Sequence, residues 1–86
     1  MTLLRGFLKF PPTNSPQIDT VALLPDNTVH LTAVCEVGHA FDITASTNLV
    51  DWTTLARVVS VTGVIEFTDV EASSFAQRFY RVVWVP

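Results

Sequence analysis

The sequence predicts an all-β fold, an antiparallel β-sandwich of six or seven strands with an N-terminal arm. Two observations lead to this prediction. Short runs of apolar and β-branched residues alternate with polar ones, and turn residues separate these runs at intervals of about ten residues. Beyond the arm, the chain has no stretch of helical periodicity of useful length. Both patterns are typical of strands with one face buried and one face in water.

The boundaries of the strands follow from the turn residues between them. Pro25-Asp26-Asn27, Gly38, residues 48–51 and Thr62-Gly63 are turn signals. The strands are therefore predicted at 17–24, 28–36, 39–47, 53–61, 64–68 and 77–85. Residues 69–76 are polar and numerous enough to cross from one sheet to the other.

Alternation within the strands predicts which side chains form the core. The inward set on the second and third strands is Val29, Leu31, Ala33, Cys35, Phe41, Ile43 and Ala45. Asp42, Thr44 and Ser46 are predicted to face outward, and Ile65 and Phe67 are predicted as a core pair. On the last strand Tyr80, Val82 and Trp84 share one face, while Phe79, Arg81, Val83 and Val85 share the other.

The first 15 residues are interpreted as an arm and a proline-rich linker, and residues 16–86 as the sandwich domain. A helix would place Leu3, Leu4, Phe7 and Leu8 on one face, whereas a strand would group Leu4, Leu8 and Phe10. The sequence leaves this choice open. Either face is expected to pack on the sandwich or on a partner, and exchange of the arm between two copies would give a homodimer. No signal peptide is visible, because Arg5 and Lys9 interrupt a short apolar stretch.

Composition excludes several classes of function. The net charge is −3 and the five basic residues are scattered, which argues against a nucleic-acid partner. No apolar run approaches the roughly 20 residues that a membrane-spanning helix needs. With 49% hydrophobic residues, the chain can form a core of its own. Its single cysteine, Cys35, forms no internal disulfide and is predicted to be a small buried hydrophobic residue.

Three segments carry a resemblance to a known family. They are Phe41, Ile43, Ala45-Ser46-Thr47-Asn48-Leu49, Trp52-Thr53 and Leu55, then Phe67-Thr68-Asp69, then Arg78-Phe79-Tyr80-Arg81-Val82. Residues 16–86 resemble small fibronectin type III-like or immunoglobulin-like modules near the C-termini of large secreted proteins of environmental bacteria. Cys35, Val37 and His39 depart from the small residues usual there. The resemblance implies a non-catalytic accessory, spacer or protein-interaction module, secreted or at the cell surface, beside neighbouring domains.

Polar residues of the motifs are predicted to hold turns. Ser46, Asn48 and Asp51 can bond nearby backbone groups, with Leu49 and Trp52 capping the core. Calcium binding here is disfavoured even with help from Asp69 and Glu71, because calcium takes six to eight oxygens. Tyr80 is similar to the tyrosine corner of immunoglobulin-like sandwiches, in which the hydroxyl bonds to upstream backbone. Arg78 and Arg81 are predicted as solvated charges, with Glu66 or Asp69 as cross-strand partners.

The alternative function is carbohydrate binding, since such modules stack exposed aromatic rings on sugars. Trp84, Phe75 and Phe79 are the candidate ligand-binding residues, and a polysaccharide is then the partner. His30 and His39 are too few for a zinc site, and a Cys35–His39 nucleophile pair lacks a third group to orient it. Catalysis by Asp42 and Asp51 would require a histidine within hydrogen-bond reach of them. The sequence therefore predicts no enzyme, no metal and no cofactor.

Overall fold

Six β-strands make up nearly all of the regular structure in a computed structural model that describes residues 12–86. They are β1 (Gln17–Leu23), β2 (Val29–Val34), β3 (Ala40–Ser46), β4 (Thr53–Val59), β5 (Val64–Asp69) and β6 (Phe79–Val85). One short 3-10 helix, Ala72–Ser74, lies between β5 and β6. Each predicted strand is present, which confirms the all-β prediction.

The strands form two antiparallel sheets of three strands each. One has the order β1-β2-β5 and is named here the β2 sheet; the other has the order β4-β3-β6 and is named the β3 sheet. The polar connection after β5 leads from the β2 sheet to the β3 sheet, as its length predicted. Within residues 12–86, β1, β5, β4 and β6 are the edge strands.

The hydrophobic core lies between the two sheets. The β2 sheet contributes Leu31, Ala33 and Ile65, and the β3 sheet contributes Phe41, Ile43 and Val82, all with 9% exposure or less. Cys35 belongs to the same cluster, and Ile18, Val58, Phe67, Tyr80 and Trp84 pack against it. Alternation therefore predicted the inward faces of β2 and β3 correctly, because each strand buries one side against the opposite sheet. On β6 the inward face is the one that Tyr80, Val82 and Trp84 share.

The outer face of β3 is more buried than alternation predicted. Thr44 and Ser46 were expected to face water, yet they are only 6% and 4% exposed. β3 is the central strand of its sheet, so Arg81 and Phe79 of β6 lie directly opposite these two residues. Long side chains on the flanking strand cover short ones on the central strand. The hydroxyl of Thr44 is satisfied by donating to the carbonyl of Arg81 at 2.8 Å.

Hydrogen bonds join the β2–β3 connection and the β4–β5 connection at one end of the sheets. The buried Ser60 hydroxyl donates to the carbonyl of Cys35 at 2.8 Å, and the Cys35 amide donates to the carbonyl of Gly63 at 2.9 Å. Gly63 has a φ of 97°, a conformation that favours glycine. These bonds join the β2–β3 connection to the β4–β5 connection, so the chain crosses between sheets on a fixed path.

Cys35 offers a direct test of this buried end. Burial raises the pKa of its thiol from 9.0 to about 11. At pH 8 we expect a thiolate fraction about a hundredfold below that of the unfolded chain, and correspondingly slow alkylation. Iodoacetamide labelling with and without urea measures this. Because the folded pKa is raised, the contribution of the thiol to stability is present below pH 9 and is lost between pH 9 and 11. Cys35→Ala should not show this loss of stability at high pH. Iodoacetamide labelling that is as fast in the native protein as in urea would contradict the buried position of Cys35.

The N-terminal residues in the described part have no regular structure before β1. The amide of Asn14 donates to the carboxylate of Glu36, which places residues 12–16 beside the β2–β3 connection. Residues 1–11 of the arm predicted at 1–15 lie outside the described residues. The choice between a helix and a strand for the arm therefore stays a prediction. Within residues 12–86, no helix has both the length and the apolar character to cross a membrane.

Candidate interaction site at the β6 edge

A buried carboxylate organises the start of β6. Asp69, 3% exposed, ends β5 and accepts hydrogen bonds from Arg78 Nη1 at 2.9 Å and from the Tyr80 hydroxyl at 2.8 Å. Its other oxygen accepts from the amide of Glu71 at 3.1 Å. The polar connection between the sheets is thereby closed at both ends by one side chain. Charge-assisted bonds of this kind are stronger than neutral ones.

This cluster differs from the sequence predictions for Arg78 and Tyr80. Arg78 was expected in solvent with Glu66 or Asp69 as its partner; it does pair with Asp69, but its side chain is only 10% exposed. The tyrosine hydroxyl has a carboxylate as acceptor instead of a backbone group. Burial, followed by the hydrogen bond to Asp69 and the negative charge of Asp69, raises the pKa of Tyr80 to about 12. A neutral phenol that donates a hydrogen bond to a carboxylate has a structural role, so Arg78 and Tyr80 both stabilise the fold.

The motif turn after β3 is a network of side chain to backbone bonds. The Asn48 side-chain oxygen accepts from the amides of Val50 and Asp51, both at 2.9 Å, while its nitrogen donates to Asp51 Oδ2 at 2.9 Å. The Ser46 hydroxyl accepts from the amides of Asn48 at 3.1 Å and Leu49 at 2.9 Å. These bonds turn the chain between β3 and β4, the structural role predicted for Ser46, Asn48 and Asp51.

Replacing Asn48 should therefore loosen the turn. We expect Asn48→Ala to lower the free energy of unfolding by about 0.5–1.5 kcal/mol, because two exposed backbone amides exchange their side-chain acceptor for water. Urea unfolding followed by tryptophan fluorescence measures the change. Thr47→Ala is the matched control: Thr47 is exposed, and it accepts the bond from Gln77 through its backbone carbonyl, which the substitution keeps. Equal losses for the two variants would contradict the role of Asn48.

Leu49 and Trp52 do not close the core as predicted. Leu49 is 58% exposed and has a φ of 65°. Its place in the left-handed turn directs the residue outward. Trp52 lies under the guanidinium of Arg81, which sits 4.2 Å from the ring centre. This stacking covers the outer face of the β3 sheet, because Arg81 is opposite Thr44 in that sheet.

The three aromatic residues predicted to bind ligand lie on different surfaces. Trp84 packs on the core, and Phe79, 37% exposed, lies on the opposite face of β6. Phe75 is 39% exposed and carries the Arg78 guanidinium 4.2 Å from its ring centre. The structure therefore offers two partly exposed rings near the start of β6 and no single surface shared by all three.

His30 and His39 have different surroundings. His30 Nδ1 is 2.9 Å from Thr68 Oγ1, and His30 Nε2 is 3.3 Å from Glu66 Oε1 across the β2 sheet. His39 is 3% exposed beside Phe41 and precedes β3. In the described part of the chain, no three His, Cys, Asp or Glu residues converge as a potential metal site. Asp42 pairs with Arg57 at 2.8 Å rather than with a histidine.

A groove opens between β1 and β6. Val21 pairs with Leu31 and Leu23 pairs with Val29, so both β1 residues face the core side of their sheet. They are nevertheless 52% and 72% exposed. The groove has a volume of about 600 Å³ and is also lined by Phe75, Arg78 and Tyr80. We name it the β1–β6 groove; Val21 and Leu23 give it an exposed apolar floor.

The edge of β6 beside this groove has few of the features that prevent strand pairing. β1 has a bulge at Asp19 and β4 has one at Leu55, both of which disturb edge pairing. β5 carries Glu66 in its centre. β6 pairs with β3 in continuous register over seven residues, FYRVVWV, and its one charged side chain is held on Trp52. A long, regular, mainly apolar edge is a template for another strand.

Sequence reasoning missed the exposed core-facing residues of β1. Val21 and Leu23 share a phase, whereas Ile18 is out of phase with them, and that shift is the signal of the bulge at Asp19. Exposure on a core-facing side depends on where the opposite sheet ends, which no local pattern reports.

Comparison with protein-family models, with curated proteins and with solved structures finds no significant match to this chain.

Proposed function

We propose that this chain is a non-catalytic accessory module of a secreted or cell-surface bacterial protein, and that it joins another polypeptide by accepting a β-strand along β6. The observation that carries the proposal is the edge of β6 beside the exposed Val21 and Leu23, which has no partner strand within residues 12–86. Strand addition uses main-chain hydrogen bonds for affinity and alternate side-chain pockets for specificity. The β1–β6 groove supplies such pockets.

The strand order supports a fibronectin type III-like or immunoglobulin-like sandwich. The pairings β1-β2-β5 and β4-β3-β6 correspond to the A-B-E and C′-C-F order of such folds. In that correspondence the neighbour of β6 would be a seventh strand, G, and no strand takes this position within residues 12–86. Within residues 12–86, the position of strand G is therefore open, and the β1–β6 groove borders it.

The polar clusters support a scaffold role. Asp69, Arg78 and Tyr80 bond one another, and Asn48 and Asp51 hold a turn. These interactions stabilise the loops after β3 and before β6, which lie side by side at one end of the β3 sheet. Rigid elements of this kind suit a module that keeps an edge in place.

Selection of peptides tests the proposal. A displayed library of random octapeptides is screened against the full-length chain. We expect enrichment of peptides with apolar residues at every second position, and amide NMR shifts confined to β6 and β1. Leu23→Lys should remove binding by placing a charge in the groove, whereas Val70→Lys, at a position equally exposed at 72%, should not. Peptides that bind both variants alike would contradict the proposal.

Carbohydrate binding is the second candidate, favoured by the exposure of Phe75 and Phe79, 39% and 37%. Sugar rings stack on such side chains. Titration of the labelled chain with soluble polysaccharides would then shift amides near these two residues. Shifts that Phe79→Ala abolishes would support this candidate, and a spectrum unchanged by every glycan would exclude the polysaccharides used.

A further inference from the structure

We infer that the outer face of the β2 sheet binds a basic polypeptide segment that also carries apolar residues. The contact surface consists of three exposed valines, Val34, Val37 and Val64, and is named here the valine patch. Two carboxylates, those of Glu36 and Glu66, lie beside it. This surface is separate from the β6 edge, because β6 belongs to the other sheet.

The three valines adjoin one another. Val34 ends β2 and pairs with Val64 of β5. Since Ala33 faces the core, its neighbour Val34 lies on the outer face of the sheet. Val37 follows in the β2–β3 connection, and a Cβ atom on Gly63 would lie 3.9 Å from one of its methyl groups. The exposed fractions of the three valines are 55%, 56% and 51% in chain order, and adjoining exposed apolar side chains are typical of a contact site.

A groove borders the valine patch. It has a volume of about 490 Å³, and its lining includes Val34, Val37 and Glu36. Asn14 and Ser15 line it from the segment before β1. The amide of Asn14 donates to the carboxylate of Glu36, which fixes that wall. An apolar side chain of a partner can therefore enter the groove against the valines, next to a carboxylate.

The two carboxylates lie on opposite sides of the Val34–Val64 pair. Glu36 lies past the end of β2, whereas Glu66 lies two residues after Val64, about 7 Å along β5. Because β2 and β5 are antiparallel, these two directions are opposite. The Glu66 side chain is 67% exposed, and its contact in the described part of the chain is His30 at 3.3 Å. A segment with lysine or arginine on both sides of an apolar residue therefore meets a carboxylate at each side.

The charges of the whole β2 sheet favour a basic partner. Residues 12–39 and 60–76, which form this sheet and its connections, contain no lysine or arginine. Their acidic residues are Asp19, Asp26, Glu36, Glu66, Asp69 and Glu71. Within residues 12–86 the arginines are Arg57, Arg78 and Arg81, which contact Asp42, Asp69 and Trp52 in that order. Of the six acidic residues, Asp69 alone thus has an arginine partner among residues 12–86, and complementary charge selects a cationic partner.

The same charges argue against a second copy as the occupant. A two-fold interface would bring the valine patch of one protomer against that of the other. Glu36 and Glu66 would then face the same carboxylates across the interface, and like charges in contact disfavour association. A basic segment meets the same surface with attraction.

Amide NMR of the labelled full-length chain tests the inference with three octapeptides. The peptides alternate leucine with lysine, leucine with glutamate, and serine with lysine. We expect the leucine–lysine peptide to shift the amides of Val34, Val37 and Val64, and the other two peptides to leave them in place. Added NaCl should weaken the binding, because salt screens exposed charges. Leu23→Lys should keep these shifts, since it alters only the β1–β6 groove.

A charge variant measures the contribution of the two carboxylates. Glu36→Gln/Glu66→Gln keeps hydrogen-bond acceptors at both positions and should weaken binding of the leucine–lysine peptide about three- to tenfold. Asp26→Asn/Glu71→Gln is the matched control. It changes the net charge by the same amount at the opposite end of the sheet, and it should leave the affinity nearly unchanged.

A second variant measures the contribution of the apolar surface. Val34→Thr/Val64→Thr keeps the β-branched shape and replaces one methyl group of each side chain with a hydroxyl group. It should weaken binding about fivefold. Val50→Thr/Val70→Thr makes the same change at positions that are 76% and 72% exposed elsewhere on the surface, and it should have no effect.

Four results would overturn the inference. Shifts confined to β6 and β1 mean that the peptide adds to the β6 edge, which keeps the proposed function and removes the valine patch as a site. Equal binding of the leucine–glutamate peptide means that charge does not select the occupant. Equal losses for the two charge variants mean that only the net charge attracts the peptide. Shifts at Val34 and Val64 that appear on concentrating the chain without peptide mean that a second copy occupies the patch.

Discussion

Asp69→Ala is expected to lower the free energy of unfolding by about 3–5 kcal/mol, because it leaves the Arg78 guanidinium buried without its partner. The Asp69 and Arg78 side chains are 4% and 10% exposed, so water replaces little of the lost interaction. The Tyr80 hydroxyl and the Glu71 amide lose an acceptor at the same time. Small domains have about 5–15 kcal/mol in total, so this variant is near the limit of folding. Urea unfolding monitored by circular dichroism measures the loss.

A matched control is the other Asp–Arg pair. Asp42→Ala removes the partner of Arg57, whose side chain is 63% exposed. Water solvates that guanidinium after the change, so we expect a much smaller loss. If Asp42→Ala costs as much as Asp69→Ala, burial does not determine the strength of these pairs, and the role assigned to Asp69 is wrong.

Phe41→Ala is expected to lower the free energy of unfolding by a similar amount, about 3–5 kcal/mol, because it opens a cavity between the sheets. Phe41 has no exposed surface and belongs to the core cluster with Leu31, Ile43 and Val82. Its neighbours come from both sheets, so the remaining side chains cannot close the space without moving a strand. Chemical denaturation with tryptophan fluorescence gives the difference from the unaltered chain.

Phe79→Ala is the control for residue type. Phe79 is 37% exposed and lies on the outer face of β6. We expect a clearly smaller loss of stability, because little apolar surface leaves a buried environment. A loss as large as that of Phe41→Ala would mean that the outer face of the β3 sheet carries a second core.

Most of the fold was predictable because the patterns that specify it are local. Turn residues such as Pro25 and Gly63 stop the strands, and alternation selects Leu31, Phe41 and Ile43 for the core. The outer burial of Thr44 was not predictable, because it depends on Arg81, 37 residues away in sequence. Alternation assigns a face to a residue and carries no information on what lies across the sheet.

Of the candidate site, the sequence predicted the turn motif and named Asp69 as one of two possible partners of Arg78. Ser46, Asn48 and Asp51 bond within five residues of one another, so their role follows from local geometry. Arg78 was placed in solvent because a charged residue beside a strand is usually exposed; only the meeting of the two sheets brings it to Asp69 in a buried position. The groove at Val21 and Leu23 had no counterpart in the sequence reasoning.

The sequence by itself determined the fold class, the strands and the inward faces of β2 and β3, since period-two alternation and turn chemistry act over a few residues. The tertiary structure decided how the strands divide into a β2 sheet and a β3 sheet and where each sheet ends. It thereby decided that Val21 and Leu23 are exposed beside β6, an edge strand within residues 12–86. Pairing between distant strands depends on the free energy of the whole packed arrangement, so the β6 edge and its groove became visible only when all six strands were in place.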